Sequence, residues 1–250
     1  RDPISGEIYS IGVTPQCQLK IYRCNNTFNL IKQVSIPLKT VPMVHSFVIA
    51  GPYLVFLVSP VVIDPLKLLL NQQSFAEAAE WKAQQGTRIL IVDRETLTTV
   101  SDNNTDAWFQ WHYGNGCVET DSSIRIDFVR FDDFTHINQV LREVPTGHIK
   151  TKAYGRLWQI RLEPTSGKVL SNECVLDRDC EFPQVAVSKV GQPWQHTYFM
   201  MHRDGVSTGE NWFGALGRFN YVTGQLLQAD LGEGYYANEP MHVSNLNGKN

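Results

Sequence analysis

The first group that could do chemistry is an imidazole at the head of the most apolar run of the chain. His45 opens the stretch Met43 to Pro65, MVHSFVIAGPYLVFLVSPVVIDP. A neutral imidazole serves proteins both as a metal ligand and as a buried hydrogen-bonding group, and a lone histidine more often fills the second role. A second histidine, His112, stands in WFQWHYGN among Trp108, Phe109, Trp111 and Tyr113. Stacking in an aromatic core is the competing reading there. The two lie too far apart in sequence, on separate strand-like elements, to be the i, i+4 helical pair of zinc proteases. They can converge only at an axis or in a shared cavity. Neutral imidazoles gathered there could ligate a metal.

The elements that must position these histidines read as strands. On either side of Gly51-Pro52, Met43 to Ala50 is rich in Val, Ile and Phe, and Tyr53 to Val58 is apolar at every position, the pattern of strands buried on both faces. With Met43 to Ala50 extended, His45 shares a face with Phe47 and Ile49 and points into the interior. Thr87 to Val92, Ile124 to Phe128 and Leu157 to Leu162 read as further strands, Asp102 to Asp106 as a polar loop, and Gly114-Asn115-Gly116 as the loop beyond His112. One turn signature recurs as Asp2-Pro3-Ile4-Ser5-Gly6-Glu7, Glu163-Pro164-Thr165-Ser166-Gly167-Lys168 and Asn220-Tyr221-Val222-Thr223-Gly224-Gln225, with a cousin lacking glycine at Asp93-Arg94-Glu95-Thr96-Leu97. An acidic or amide residue begins each turn and, in the close matches, glycine takes the positive-φ position of a hairpin. Gly167 and Gly224 are spaced about as one decorated propeller blade. A β-propeller therefore fits better than a sandwich, and it supplies the axis on which the two histidines could meet. One segment breaks the pattern: Leu66 to Gln85, capped by Ser74 and ended by Gly86, predicts a short helical insertion. Leu68, Leu69 and Phe75 are expected to pack down beneath a solvated cover, and such an apolar helix is also suited to touching lipid. His136 and His148 flank a polar, loop-like region and are expected at the surface.

Composition narrows the partners. A chain of 250 residues with 42% hydrophobic and 19% charged residues is an ordinary globular balance, and a net charge of -3 with no Lys/Arg cluster offers nucleic acid nothing to bind. The longest apolar run is interrupted by Gly51-Pro52 and Ser59-Pro60, which argues for strands and against a spanning helix. Five cysteines without CxxC spacing fit neither a zinc knuckle nor a disulfide framework, so a reducing cytoplasmic location is the expectation.

At the histidine motifs the chain resembles the carotenoid cleavage oxygenases. MVHSFVIAGPYLVFLVSPVVIDP is similar to the second histidine motif of that family and FQWHYGNGCVE to the third. Leu157-Trp158 and the CEFP-type motif Cys180-Glu181-Phe182-Pro183 follow in order, as does the E-P-hydrophobic motif at Asn238-Glu239-Pro240-Met241. The likeness extends over essentially all of the chain. It implies an all-β fold that is part of a seven-bladed β-propeller, with the helical insertion at about residues 66–85. Residues 1–250 would be one incomplete domain, the middle blades, with the N- and C-terminal parts of the family domain absent. It also implies a non-haem Fe(II) held by four histidines, with O2 and an apolar polyene as substrates and a dioxygenase reaction that splits one conjugated C=C bond into two carbonyls. His45 and His112 would be iron ligands, Glu181 and Glu239 would accept the other ring N–H groups, and Trp111 and Phe182 would line the substrate tunnel. Two more ligands and a further glutamate would lie outside the chain, so that these residues alone would hold iron weakly or not at all and be inactive. A stilbene-type olefin as substrate and a metal-free propeller binding module are the alternatives. Peripheral membrane contact fits an apolar substrate.

Overall fold

The architecture follows from how apolar residues alternate along the strands. In the computed structural model, which describes residues 1–70, 73–206 and 212–243, the chain forms successive antiparallel sheets, each a simple meander. The first is three-stranded: β1 (Ile8–Thr14), β2 (Gln18–Cys24) and β3 (Leu30–Pro37). The second runs β4 (Val48–Ala50) and β5 (Tyr53–Val58), is interrupted by the small pair β6 (Val61–Ile63) and β7 (Ala79–Trp81), and continues through β8 (Thr87–Asp93) and β9 (Thr99–Thr105). The third holds β10 (Tyr113–Val118), β11 (Ile124–Arg130), β12 (Arg156–Leu162) and β13 (Val169–Leu176). The fourth holds β14 (Cys180–Gln184), β15 (His196–Met201), β16 (Ala215–Asn220) and β17 (Leu226–Asp230). These are blades of a β-propeller, and the chain is all-β as its strand pattern predicts.

β5 is apolar throughout because its two faces feed two different interfaces. Leu54, Phe56 and Val58 pack with Leu19, Ile21 and Ile36 of the first sheet. Val55 and Leu57 pack with Ile124, Ile126, Phe128 and Ile160 of the third. A strand of period two sandwiched between neighbours needs apolar residues at every position, and each such side chain stabilises the stack by about 1.5–3 kcal/mol on full burial.

The recurrent turns behave as one device. Gly6, Gly167 and Gly224 have φ of 72°, 67° and 68°, and each donates its N–H to the carbonyl four residues earlier. Leu97, in the turn without glycine, takes the same conformation at φ 54° and the same hydrogen bond to Asp93. The last three of these turns join neighbouring strands as hairpins, whereas the turn at Gly6 leads into β1.

Several details differ from the sequence expectation. Met43 to Phe47 is not strand, since β4 begins only at Val48. The helical insertion does take the expected form of two short helices, α1 (Pro65–Leu69) and α2 (Phe75–Ala78), but its last part is a strand, β7, that pairs with β6. Asp64 caps α1 and the predicted Ser74 caps α2 in a capping box with Glu77. Leu69 and Phe75 do not pack down but are exposed, whereas Leu68 does pack against the core. Asp102 to Thr105 belongs to β9, polar because that strand is the outer edge of its blade. The glycines after His112 lie within β10, where a Cβ on Gly116 would sit 3.0 Å from Ile49 O and 3.1 Å from Ala50 Cβ of the neighbouring blade. Glycine there is a consequence of close approach between inner strands. The polar region between His136 and His148 begins as a helix, α3 (Phe134–Glu143), capped by Asp133, and both histidines are exposed.

Candidate metal-binding histidine site

Each four-stranded blade presents its first strand to the interior, and β10 lies between β4 and β14. His45 precedes β4, His112 immediately precedes β10, and Glu181 is near the start of β14, so all three reach the same end of the inner strands. Antiparallel geometry puts the connections from β5 to β8, β11 to β12 and β15 to β16 at that end too. The helices α1, α2 and α3 therefore form a cap on the histidine side. Asn138 and Arg142 of α3 tie it together by donating to the Ala76 carbonyl of α2, each at 2.8 Å.

The two imidazoles meet. Their ring centroids are 5.0 Å apart at an interplanar angle of 89°. His45 Nδ1 lies 3.2 Å from the Trp111 carbonyl oxygen, and His112 Nδ1 lies 2.8 Å from Glu181 Oε2. Both partners only accept, so each Nδ1 carries the proton and each Nε2 of the neutral ring bears a lone pair. Neither Nε2 has a hydrogen-bond partner among the described residues. Glu181 is buried, and its second oxygen, Oε1, has no partner. Burial pulls the His45 imidazole below the ordinary histidine pKa, with the neighbouring His112 adding to the effect. Burial pulls the same way on His112, but the hydrogen bond and charge of Glu181, with the charge of Glu239, outweigh it and raise its pKa.

Phe182 stacks on His112 with centroids 4.6 Å apart, and Trp111 meets His45 edge-on at 5.0 Å. Phe182 is held at φ 57° where the pairing of β14 with β15 shifts register between Glu181 and Gln184, the kind of bulge that re-aims a side chain beside a site. Glu239 is not brought to either imidazole. It is exposed, and its Oε1 accepts a hydrogen bond of 2.5 Å from Gln184 Nε2 on the strand that carries Glu181. His45 does not point into the core as extension of Met43 to Ala50 predicts; it is exposed, because the chain leaves the sheet before reaching β4.

The donor set fits part of a metal site. Two imidazoles lie against each other, each Nδ1 is fixed by an acceptor while each Nε2 lone pair has no hydrogen-bond partner among the described residues, and a buried carboxylate has an oxygen unpaired. Among the described residues no group of three or more His, Cys, Asp or Glu side chains could hold a metal ion, so this pair is not a complete ligand shell.

Comparison with known proteins places the chain. The family described as Retinal pigment epithelial membrane protein matches residues 1–250. The chain belongs to that family. A curated relative, the apocarotenoid-15,15'-oxygenase of Synechocystis sp., is 21% identical over 240 residues, which cover 94% of this chain and 47% of that protein. Among solved structures, an ACO/RPE65 chimera is similar at a TM-score of 0.80 and 21% identity, covering 97% of this chain and 49% of that one. Cobalt-substituted Synechocystis ACO is similar at a TM-score of 0.80 and 20% identity, with the same two coverages, 97% and 49%. The chain thus spans about half the length of the relatives it matches.

For this family member the sequence reading overlooked the polar groups that hold the site. Gln110, Tyr113, Asn115 and Asp127 are buried. Asp127 accepts from Asn115 N, Thr197 Oγ1 and Tyr221 OH, each at 2.6 Å, linking the third and fourth blades. Burial raises its carboxyl pKa against the opposing pull of those bonds. The available signal was an aspartate inside the otherwise apolar run IRIDFV, since a carboxylate there needs partners.

Proposed function

We propose that His45 and His112 are two ligands of a catalytic ferrous ion in an oxygenase that cleaves a conjugated C=C bond of a carotenoid or apocarotenoid, with the ligand shell completed by histidines beyond this pair. The observation that carries the reading is the meeting of two imidazoles from different blades, centroids 5.0 Å apart, with both Nδ1–H groups tied to acceptors and both Nε2 lone pairs without a hydrogen-bond partner among the described residues. The chemistry a ferrous ion supplies when bound is activation of O2 for scission of the double bond into two carbonyl products. Glu181 holds the proton at His112 Nδ1 and raises the basicity of Nε2, and the Trp111 carbonyl does the corresponding orienting work for His45. Trp111 and Phe182, packed on the two rings, exclude water and offer apolar surface to a polyene. Glu239, without contact to either ring, would orient a further ligand from its place beside Gln184.

The apolar residues on the cap support peripheral contact with the membrane in which such a substrate dissolves. Leu66, Leu69, Leu70 and Phe75 are all exposed at the histidine end. No helix among the described residues is long and apolar enough to cross a membrane.

The test is iron content and O2-dependent cleavage of an apocarotenal by the full-length natural polypeptide, with His45→Ala and His112→Ala. The reading requires that the parent protein bind iron and cleave, and that either substitution abolish both. A folded parent protein that holds no iron would overturn it in favour of a metal-free propeller module, and cleavage of a stilbene in place of the apocarotenal would reassign the substrate.

A further inference from the structure

β4 leaves part of the inner edge of β5 open. β4 is short and pairs only Val48 to Ala50 with Tyr53 to Val55. The residues before it swing away to bring His45 to the opening, so the inner edge of β5 beyond Val55 has no strand partner, and Leu57 would bury an unpaired N–H and C=O there. Two side chains from the next blade take these groups. Tyr113 OH accepts from Leu57 N at 3.0 Å, and Gln110 Nε2 donates to the Leu57 carbonyl. Gln110 Oε1 also accepts from Ser59 Oγ at 2.9 Å, and Gln110 is itself buried, with 7% of its surface exposed. Gln110 and Tyr113 bracket Trp111 and His112 in sequence, so the bonds that compensate for the departure of His45 also fix the segment that carries His112.

We propose that Gln110 is a positioning residue that locks His112 against His45. Its carboxamide supplies the donor that the missing strand would have given the Leu57 carbonyl, and its oxygen is held in turn by the Ser59 hydroxyl just past the end of β5. Because Leu57 sits in the blade that carries His45, the clamp spans the two blades that must agree on one distance. The inference deepens the reading of His45 and His112 as ligands, but its test does not depend on metal.

The experiment uses the full-length polypeptide with isotope-labelled histidine and compares wild type with Gln110→Leu, which keeps bulk and removes both bonding atoms. In wild type, a ring-to-ring NOE between His45 and His112 and Nδ1–H tautomers for both are expected. In folded Gln110→Leu, the NOE falls by about twofold or more and His45 loses its single tautomer as the Trp111 carbonyl moves. Tyr221→Phe, destabilised at a distance from the β5 edge, keeps both signals, which separates positioning from general loss of stability. If Gln110→Leu does not fold, Tyr113→Phe, which removes only the hydroxyl, is read in the same way. An unchanged NOE and tautomer in the folded variant would overturn the proposal. Separately, cobalt titration of Gln110→Leu is expected to show affinity about tenfold weaker; a wild type that takes no cobalt would count against the metal reading alone.

Discussion

Glu181→Gln isolates what a carboxylate does for the histidine site. The substitution keeps the shape and an oxygen that can accept from His112 Nδ1, now 2.8 Å away from Oε2, and removes the charge. A hydrogen bond to a charged partner contributes about 1.5–3 kcal/mol, and a neutral one about 1 kcal/mol. The difference, about 0.5–2 kcal/mol, corresponds to a loss of roughly twofold to thirtyfold in whatever the carboxylate favours. In the metal-free protein that is the protonated ring. Burial lowers the His112 pKa, and the hydrogen bond and then the charge of Glu181 are the main forces that raise it, so the variant, which keeps an acceptor and loses the charge, should titrate below the wild type. The linkage has a definite sign: a raised folded-state pKa gives stability that is full below the unfolded value and lost as pH rises through the folded value. The stability advantage of wild type over Glu181→Gln should therefore be greatest in acid and fade through neutrality. Ring NMR titration of His112, with urea unfolding across the same pH range, reads both. A His112 midpoint unchanged from wild type in Glu181→Gln would refute the reasoning, as would a stability difference that grows with pH.

Other perturbations follow from the packing. Tyr221→Phe removes one of the three donors to buried Asp127 and should cost about 1.5–3 kcal/mol in urea unfolding; a loss under 0.5 kcal/mol would show that the hydroxyl is dispensable. Gly155→Ala places a Cβ 2.7 Å from Cys180 O and 2.8 Å from Val129 Cγ1 and should destabilise by about 1–3 kcal/mol. Gly12→Ala meets nothing within 4 Å and serves as its control, expected to be near neutral or slightly stabilising. Leu69→Asp with Phe75→Ser, both on the exposed cap, should reduce sedimentation with phospholipid vesicles several-fold and leave the melting temperature within about 2 °C; equal binding by the variant would remove the cap from membrane contact.

What the sequence determined by itself was mostly local. β5 was legible to the residue, because a strand buried on both faces carries its signature in every position. The hairpin turns were legible because positive φ at Gly167 and Gly224 is a property of a few adjacent residues. The cap at Ser74 was legible for the same reason. The two histidines could be singled out by type and setting, but their meeting could not be read from residues that lie on different blades. Only the tertiary structure decided that His45 leaves its strand, that β10 passes between β4 and β14, and that Glu181 and not Glu239 reaches a ring. Strand pairing and convergence at an axis are long-range relations, set by how the blades pack, and no local propensity records them. The same holds for Gln110, whose role exists only because a strand in another blade ends early. A polar residue in an aromatic segment announces a partner without saying which, and the fold supplies the answer.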